Sequence, residues 1–277
     1  MVNNHFSQMM KNTPIDYFKE YVRLYKLFYE TEISDPYIRG ITIERLCDQS
    51  FLKMPFRGTC IDLKDFNETH DFCFEKKPSK FDISYLIEFC EYSYNLTVYS
   101  QIAIQDLMLT NGFESVQFYL QQVKNVIDGV GYMSNNHNSI TDFVPRDQTV
   151  ITVAEKLDSN LSYKLLEYNH HSMEGDVERK KDVLFSLAGK LESKQKELRQ
   201  VNASFESDLF FLFNSMNIRH NNVDQGSKSY KANVSSMSAK ELEGWYDDIY
   251  QMCLLAFMEL EQVERKERIK KLKDSIQ

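Results

Sequence analysis

Five polar side chains suited to phosphate chemistry stand together at Asn217, Arg219, His220, Asn221 and Asn222. Arg offers a permanent charge in a two-pronged fork that fits phosphate oxygens, and imidazole moves protons near neutral pH. A purely structural account is also open. Cations in the last turn of a helix complement its negative end, and Asn is a common helix terminator. That account covers one Arg and one Asn more readily than five polar groups following a run of Phe and Leu.

A second cluster runs from Tyr168 to Asp176, YNHHSMEGD. His170 and His171, with Glu174 and Asp176, have the ligand types of a metal site or an acid–base pair, but lack the four-residue spacing of a helical zinc site. The alternative is a solvated loop whose Asp176 caps the next helix. If the helices fold back antiparallel, this loop becomes a companion to Arg219. A third set, Cys47, Cys60, His70 and Cys73, has zinc-ligand types without a tight Cys pair, so buried thiols are the expectation and no metal is assigned. The net-basic run from Arg265 to Lys273 could touch RNA, although a solvated helix end gives the same pattern. No phosphate-binding glycine loop, nucleophile elbow or HExxH motif is present.

Positioning these groups falls to helices. The segment from Ala203 reads as a helix with Ser204 as N-cap, Glu206 and Asp208 in its first turn, and Phe205, Leu209, Leu212, Phe213 and Met216 as its core stripe. Upstream, helices are expected from Leu161 to Tyr168 and from Val177 to Leu191, continued by the exposed ESKQKELRQ to about Val201. Downstream, Ser238 and Glu241 form a capping box for the last helix. Its stripe is Leu242, Trp245, Ile249, Met252, Ala256, Leu260 and Val263, and further apolar residues imply that its middle is nearly surrounded.

Earlier in the chain, Thr13 and Pro14 open a helix running to Glu32, with aromatic residues around most of its circumference. A shorter helix follows from Tyr37 to Asp48, then irregular chain from Ser50 to Lys80. A long helix begins at Asp82 or Ser84 and breaks at Asn111-Gly112. Another fills Phe113 to Val130. Ile140–Val144 and Thr149–Val153 flank Pro145-Arg146-Asp147 and read as a β-hairpin.

With 277 residues, the chain could form one large domain or two ordinary ones. Nine Gly and five Pro leave room for long helices and disfavour a turn-rich β fold. The net charge of −8 argues against a generic nucleic-acid coat, which would draw its affinity from phosphate neutralisation. Five scattered Cys suit free thiols in a reducing compartment. No apolar run reaches the roughly 20 residues of a membrane span, and the first residues lack the pattern of a secretion signal. A cytoplasmic protein without a membrane partner is expected.

An apolar helix ending in Ile218-Arg219-His220-Asn221-Asn222, a polar loop and a last apolar helix together resemble the HEPN superfamily over about Ser159 to Gln262. That family comprises small helical bundles of prokaryotic toxins, abortive-infection proteins and other antiviral defence systems. Many members are metal-independent ribonucleases, and others are non-catalytic partners or nucleotide-binding modules. Its signature is an Arg, a polar residue, and a His four to six residues beyond. Arg219 and His220 fit the first two positions, and no His follows His220.

The resemblance therefore implies one of two things. In an endoribonuclease, His220 itself would assist 2′-hydroxyl attack and Arg219 would stabilise the pentavalent phosphate. Asn217, Asn221, Asn222, His170 and His171 would bind substrate, no cofactor would be needed, and two copies of the site would face each other in a homodimer acting on RNA. In a non-catalytic interaction or ligand-binding module, the same polar groups would hold a partner. The expected fold is mainly α: a helical N-terminal region over 1–135, a β-ribbon over 136–155, and an HEPN-like bundle over 156–277.

Overall fold

A computed structural model of the chain describes residues 15–33, 40–106 and 110–276. The fold is mainly α, with twelve α-helices among the described residues and one two-stranded antiparallel hairpin. The chain divides between Phe143 and Val144 into two compact units, each with its own hydrophobic core. None of the described helices is long and apolar enough to cross a membrane.

The N-terminal unit contains α1 (Tyr17–Tyr25), α2 (Ile43–Ser50), α3 (Leu63–Thr69), α4 (Ile83–Asp106) and α5 (Thr110–Gly129). Thr13, Pro14 and Tyr37 lie outside the described residues. Asp16 caps α1 by accepting from the Lys19 N–H at 3.0 Å, and the helix continues as a π-helical turn over Lys26–Glu30. Tyr21, Leu24 and Phe28 are enclosed and Val22, Tyr25, Leu27 and Tyr29 are half-buried against the core, whereas Tyr17 and Phe18 are exposed. Tyr21, Phe28, Phe89 and Tyr119 form an edge-to-face and tilted aromatic core, with the Tyr119 hydroxyl donating to Ser93 Oγ at 2.7 Å.

The irregular stretch after Ser50 contributes Phe51, Met54, Cys60, Leu63 and Phe66 to this core, so it holds the short helix α3 instead of being loop throughout. Asn111-Gly112 does not end a helix. It falls within α5, next to residues 107–109, which lie outside the described residues.

The hairpin lies one strand earlier than its sequence suggests. Tyr132–His137 (β1) pairs with Ile140–Pro145 (β2) through Asn138 and Ser139, both at positive φ (47° and 68°), as a two-residue type I′ turn requires. It is docked on α4. Asn95 exchanges two 2.8 Å hydrogen bonds with the Thr141 backbone, and Glu91 accepts from the Phe143 N–H at 2.6 Å. Thr149–Val153, read as the second strand, belongs to helix α6 (Gln148–Ala154). The Asp147 carboxylate caps that helix by accepting from the Thr149 and Val150 N–H groups, and this local capping overrides the β-propensity of Thr and Val.

In the C-terminal unit α6 is followed by α7 (Ser159–Glu167), α8 (Val177–Glu192), α9 (Gln195–Val201), α10 (Ala203–Ser215), α11 (Ala232–Ser235) and α12 (Ala239–Ile276). α12 is the axis on which α6, α8, α9 and α10 pack. Its capping box forms: the Ser238 N–H donates to Glu241 Oε2 at 2.9 Å, and the Glu241 N–H donates to Ser238 Oγ at 3.3 Å.

This unit departs from the sequence expectations at three places. The chain breaks at Ser193-Lys194, so ESKQKELRQ is not a continuation of α8, and Leu198 is buried. Asn202, not Ser204, caps α10, its Oδ1 accepting from the Phe205 N–H at 3.2 Å. Glu206 in that first turn is buried and bound to Arg199 and Gln195. Third, Trp245 is 42% exposed. The core face of α12 is Tyr246, Ile249, Tyr250, Cys253, Leu254 and Ala256, about one residue out of phase with the stripe read from spacing. Apolar residues line most of the helix circumference, so periodicity could not choose the phase. Leu255 and Met258 are exposed as well, which leaves one side of the helix uncovered.

Candidate functional site

α10 ends where the polar cluster begins, and the cluster divides by role. Asn217 takes a left-handed conformation (φ 57°), which Asn tolerates better than most residues, and turns the chain back under the helix. Its N–H donates to Asn222 Oδ1 at 2.8 Å, and the Asn222 N–H donates to Asn217 Oδ1 at 3.2 Å. Asn222 also donates to the Ser229 carbonyl at 2.7 Å, while its own carbonyl accepts from the Lys231 N–H at 2.8 Å. Both asparagines are buried, so they lock the loop from within. Asn221 is exposed and accepts from the Asp224 N–H at 3.1 Å.

Arg219 is half-buried and paired. Its guanidinium pairs with Glu192 at the end of α8, and its N–H donates to the Phe213 carbonyl at 3.0 Å. His220, next in the chain, is exposed. Of the five residues, then, two close the loop from inside, Arg219 ties α10 to α8, and Asn221 and His220 face outwards.

The second cluster is organised differently. After α7, His170 caps a short 3₁₀ turn, His171–Met173, with Nδ1 accepting from the Ser172 N–H at 3.2 Å. Gly175 (φ 79°) makes the next bend, and Asp176 caps α8 by accepting from the Arg179 N–H at 3.1 Å. His170 is buried, and its ring lies 4.2 Å from that of His171, centroid to centroid. Both histidines line a cavity of about 250 Å³ together with Tyr168, Asn169, Glu174, Lys180, Asp247, Tyr250 and Gln251.

One wall of this cavity is rigid. Tyr168 and Tyr250 stack face to face, 4.0 Å apart and 4° from parallel. The Tyr250 hydroxyl donates to the Leu165 carbonyl at 2.8 Å and accepts from Asn169 Nδ2 at 3.3 Å. The Tyr168 hydroxyl donates to Asp247 Oδ1 at 2.9 Å. Burial in the first place, with the Asp247 carboxylate adding to it, pushes the Tyr168 phenol up, and burial does the same to Tyr250.

Lys180 is nearly enclosed and reaches Glu243 and Asp247, both at 2.8 Å, one helical turn apart on α12. Its ammonium also lies 5.3 Å from the Tyr168 ring centre. Burial alone would lower the Lys180 pKa, but the hydrogen bonds to Asp247 and Glu243 outweigh it and hold the group above its usual value. Glu243 is held below the usual carboxylate range by Lys180 and by the Gly175 N–H, which donates to it at 2.7 Å.

Family models, curated proteins and solved structures offer no match to this chain.

His170 and His171 were legible as candidates, but Lys180, Glu243, Asp247 and the tyrosine stack were not. A signal for Lys180 existed. It stands in phase with Val183, Leu184 and Leu187 on the buried face of α8, and a Lys on a core stripe needs a carboxylate. Glu243 and Asp247, four apart on the last helix, are the matching pair.

The cysteine set has no disulfide. Cys47 and Cys60 are buried, Cys73 is exposed, and His70 packs on Phe66 with ring centres 4.6 Å apart. Burial pushes the Cys47 thiol up to about 12, against the lowering effect of hydrogen bonds with Ser100 and Thr97. A thiol in that state is a core residue rather than a nucleophile.

Proposed function

We propose that the C-terminal unit is a non-catalytic ligand-binding module of the helical, HEPN-like kind, and that its ligand sits in the cavity beside His170 and His171. The observation that carries this reading is the division of labour just described. The side chains around Arg219 are largely spent on closing a loop and joining helices. The His170–His171 cavity instead is a concave space, lined by Asn169, Gln251 and two imidazoles beside a stacked aromatic wall.

Size and charge narrow the ligand class. A space of about 250 Å³ is just below the usual range of ligand sites, suiting a molecule no larger than an amino acid or small amine. Its lining carries one ammonium against the carboxylates of Glu174 and Asp247, so a neutral, zwitterionic or cationic molecule fits better than a polyanion. Calorimetric titration with a panel of small amines and amino acids tests the reading. Saturable binding, abolished by Glu174→Trp at the exposed rim, supports it. Binding that survives that plug places the ligand elsewhere.

A second reading keeps one observation in its favour: His220 is solvent-accessible beside Arg219. On that reading the chain is an endoribonuclease of antiviral defence or abortive infection, acting in the cytoplasm on RNA as a homodimer. It requires cleavage of single-stranded RNA in EDTA to 2′,3′-cyclic phosphate ends, with His220→Ala slowing it about a hundredfold or more.

A further inference from the structure

α12 spans 38 residues, about 57 Å, and its core contacts do not last to its end. From Arg265 onward every described side chain is exposed. Three of these are large and apolar: Ile269 at 45%, Leu272 at 58% and Ile276 at 75% exposure. Leu255 and Met258, also exposed, lie on the same side of the helix, opposite the face that carries Ile249 and Cys253.

The spacing is regular. Leu255, Met258, Gln262, Arg265, Ile269, Leu272 and Ile276 follow one another at alternating steps of three and four residues. That is the seam of a two-stranded coiled coil, polar only in its middle layer. Charge along its flanks is segregated: Glu259 and Glu261 border the first half, and Lys266, Arg268 and Lys273 border the second.

We infer that this seam is the interface of a homodimer in which a second copy of the chain packs its own α12 antiparallel against the first. In the register that sets Gln262 opposite the second copy's Arg265, Met258 meets Ile269 and Leu255 meets Leu272. Apolar layers then flank a polar centre that fixes the register. Glu261, which accepts from Arg265 of its own helix at 2.8 Å, comes beside the second copy's Arg268, and two-fold symmetry makes that pair twice. A parallel pairing would keep one attractive pair, Glu261 beside Lys266, but would set Arg265 against Arg265 and Arg268 beside Lys273, both repulsive. This interface does not rest on the ligand proposed for the cavity, although the same register sets Ile276 opposite Gln251 at the cavity rim.

Sedimentation velocity on the full chain between about 1 and 100 µM tests the proposal. A dimer is expected, and Ile269→Asp with Leu272→Asp should give a monomer of unchanged helical content, since both side chains are exposed in the single chain. Arg268→Glu should weaken association about tenfold through two lost surface pairs, and adding Glu261→Arg should restore it. Spin labels at Ser275→Cys, in a Cys73→Ser background, should lie about 35 Å apart in the antiparallel dimer. A wild-type chain that stays monomeric at 100 µM, a dimer that survives the double Asp variant, or a label separation under about 20 Å overturns the proposal.

Discussion

Replacing Asn222 by Ala isolates the cost of the asparagine lock. The side chain is fully buried and makes two hydrogen bonds, accepting from the Asn217 N–H at 2.8 Å and donating to the Ser229 carbonyl at 2.7 Å. Truncation leaves the Asn217 N–H buried and unpaired, at a cost of about 1–3 kcal/mol. The Ser229 carbonyl is only partly buried and recovers some of its loss from water, which adds about 1 kcal/mol. The total is about 2–4 kcal/mol, or a fall in melting temperature on the order of 10 °C for a domain of this size. Asn221→Ala is the control. That residue is exposed and accepts one local hydrogen bond, so its loss should stay within about 0.5 kcal/mol. Urea titration followed by circular dichroism reads both. Should Asn222→Ala cost no more than Asn221→Ala, the buried lock does not stabilise the loop, and these asparagines would again be open to a role in substrate binding.

Other expectations follow from the same packing. Lys180→Met strands Glu243 and Asp247; because Asp247 is half exposed, screening trims the loss to about 1–3 kcal/mol by denaturant titration. Trp245→Ala should cost under about 1 kcal/mol, whereas Phe213→Ala, fully buried, should cost about 3–5 kcal/mol. A ready quenching of Trp245 fluorescence by acrylamide would agree. For pH, Glu206 and Glu243 are held below their usual value, by Arg199 and by Lys180 respectively, so the stability they contribute is present above pH 4.5 and lost as pH falls through their lower folded values. Lys180 is raised, so its contribution is complete below 10.5 and lost only above that, as the ammonium deprotonates. Glu206→Gln should flatten the acid limb of a stability–pH curve, and an unchanged limb would count against the assignment.

Sequence reading reached the helical class because long amphipathic runs and few Gly or Pro leave little alternative. It also placed the Ser238–Glu241 capping box and the Asp176 cap, which depend on neighbouring residues alone. It failed where two local signals competed. Asn138-Ser139 makes the hairpin turn because both residues accept positive φ, yet Pro145-Arg146-Asp147 was the louder turn signal, and Asp147 proved to be a helix cap. Trp245 was misplaced because a helix apolar on most sides does not declare its phase. The candidate site shows the same limit. Types and spacing made Arg219 and His220 conspicuous, but whether an Asn reaches a ligand or its own loop is decided by a left-handed backbone at Asn217. The Lys180–Asp247 link joins residues 67 apart in sequence, which no local pattern reveals.

The most direct test of the ligand-binding account is the histidine-ring NMR spectrum of the whole chain, with resonances assigned by single His substitutions, recorded during titration with small amines and amino acids and then with single-stranded RNA. The account predicts that a small ligand moves the His170 and His171 signals saturably and leaves His220 in place, and that RNA moves none of the three. Saturable movement of His220 by RNA, with His170 and His171 unmoved by any small ligand, would contradict it.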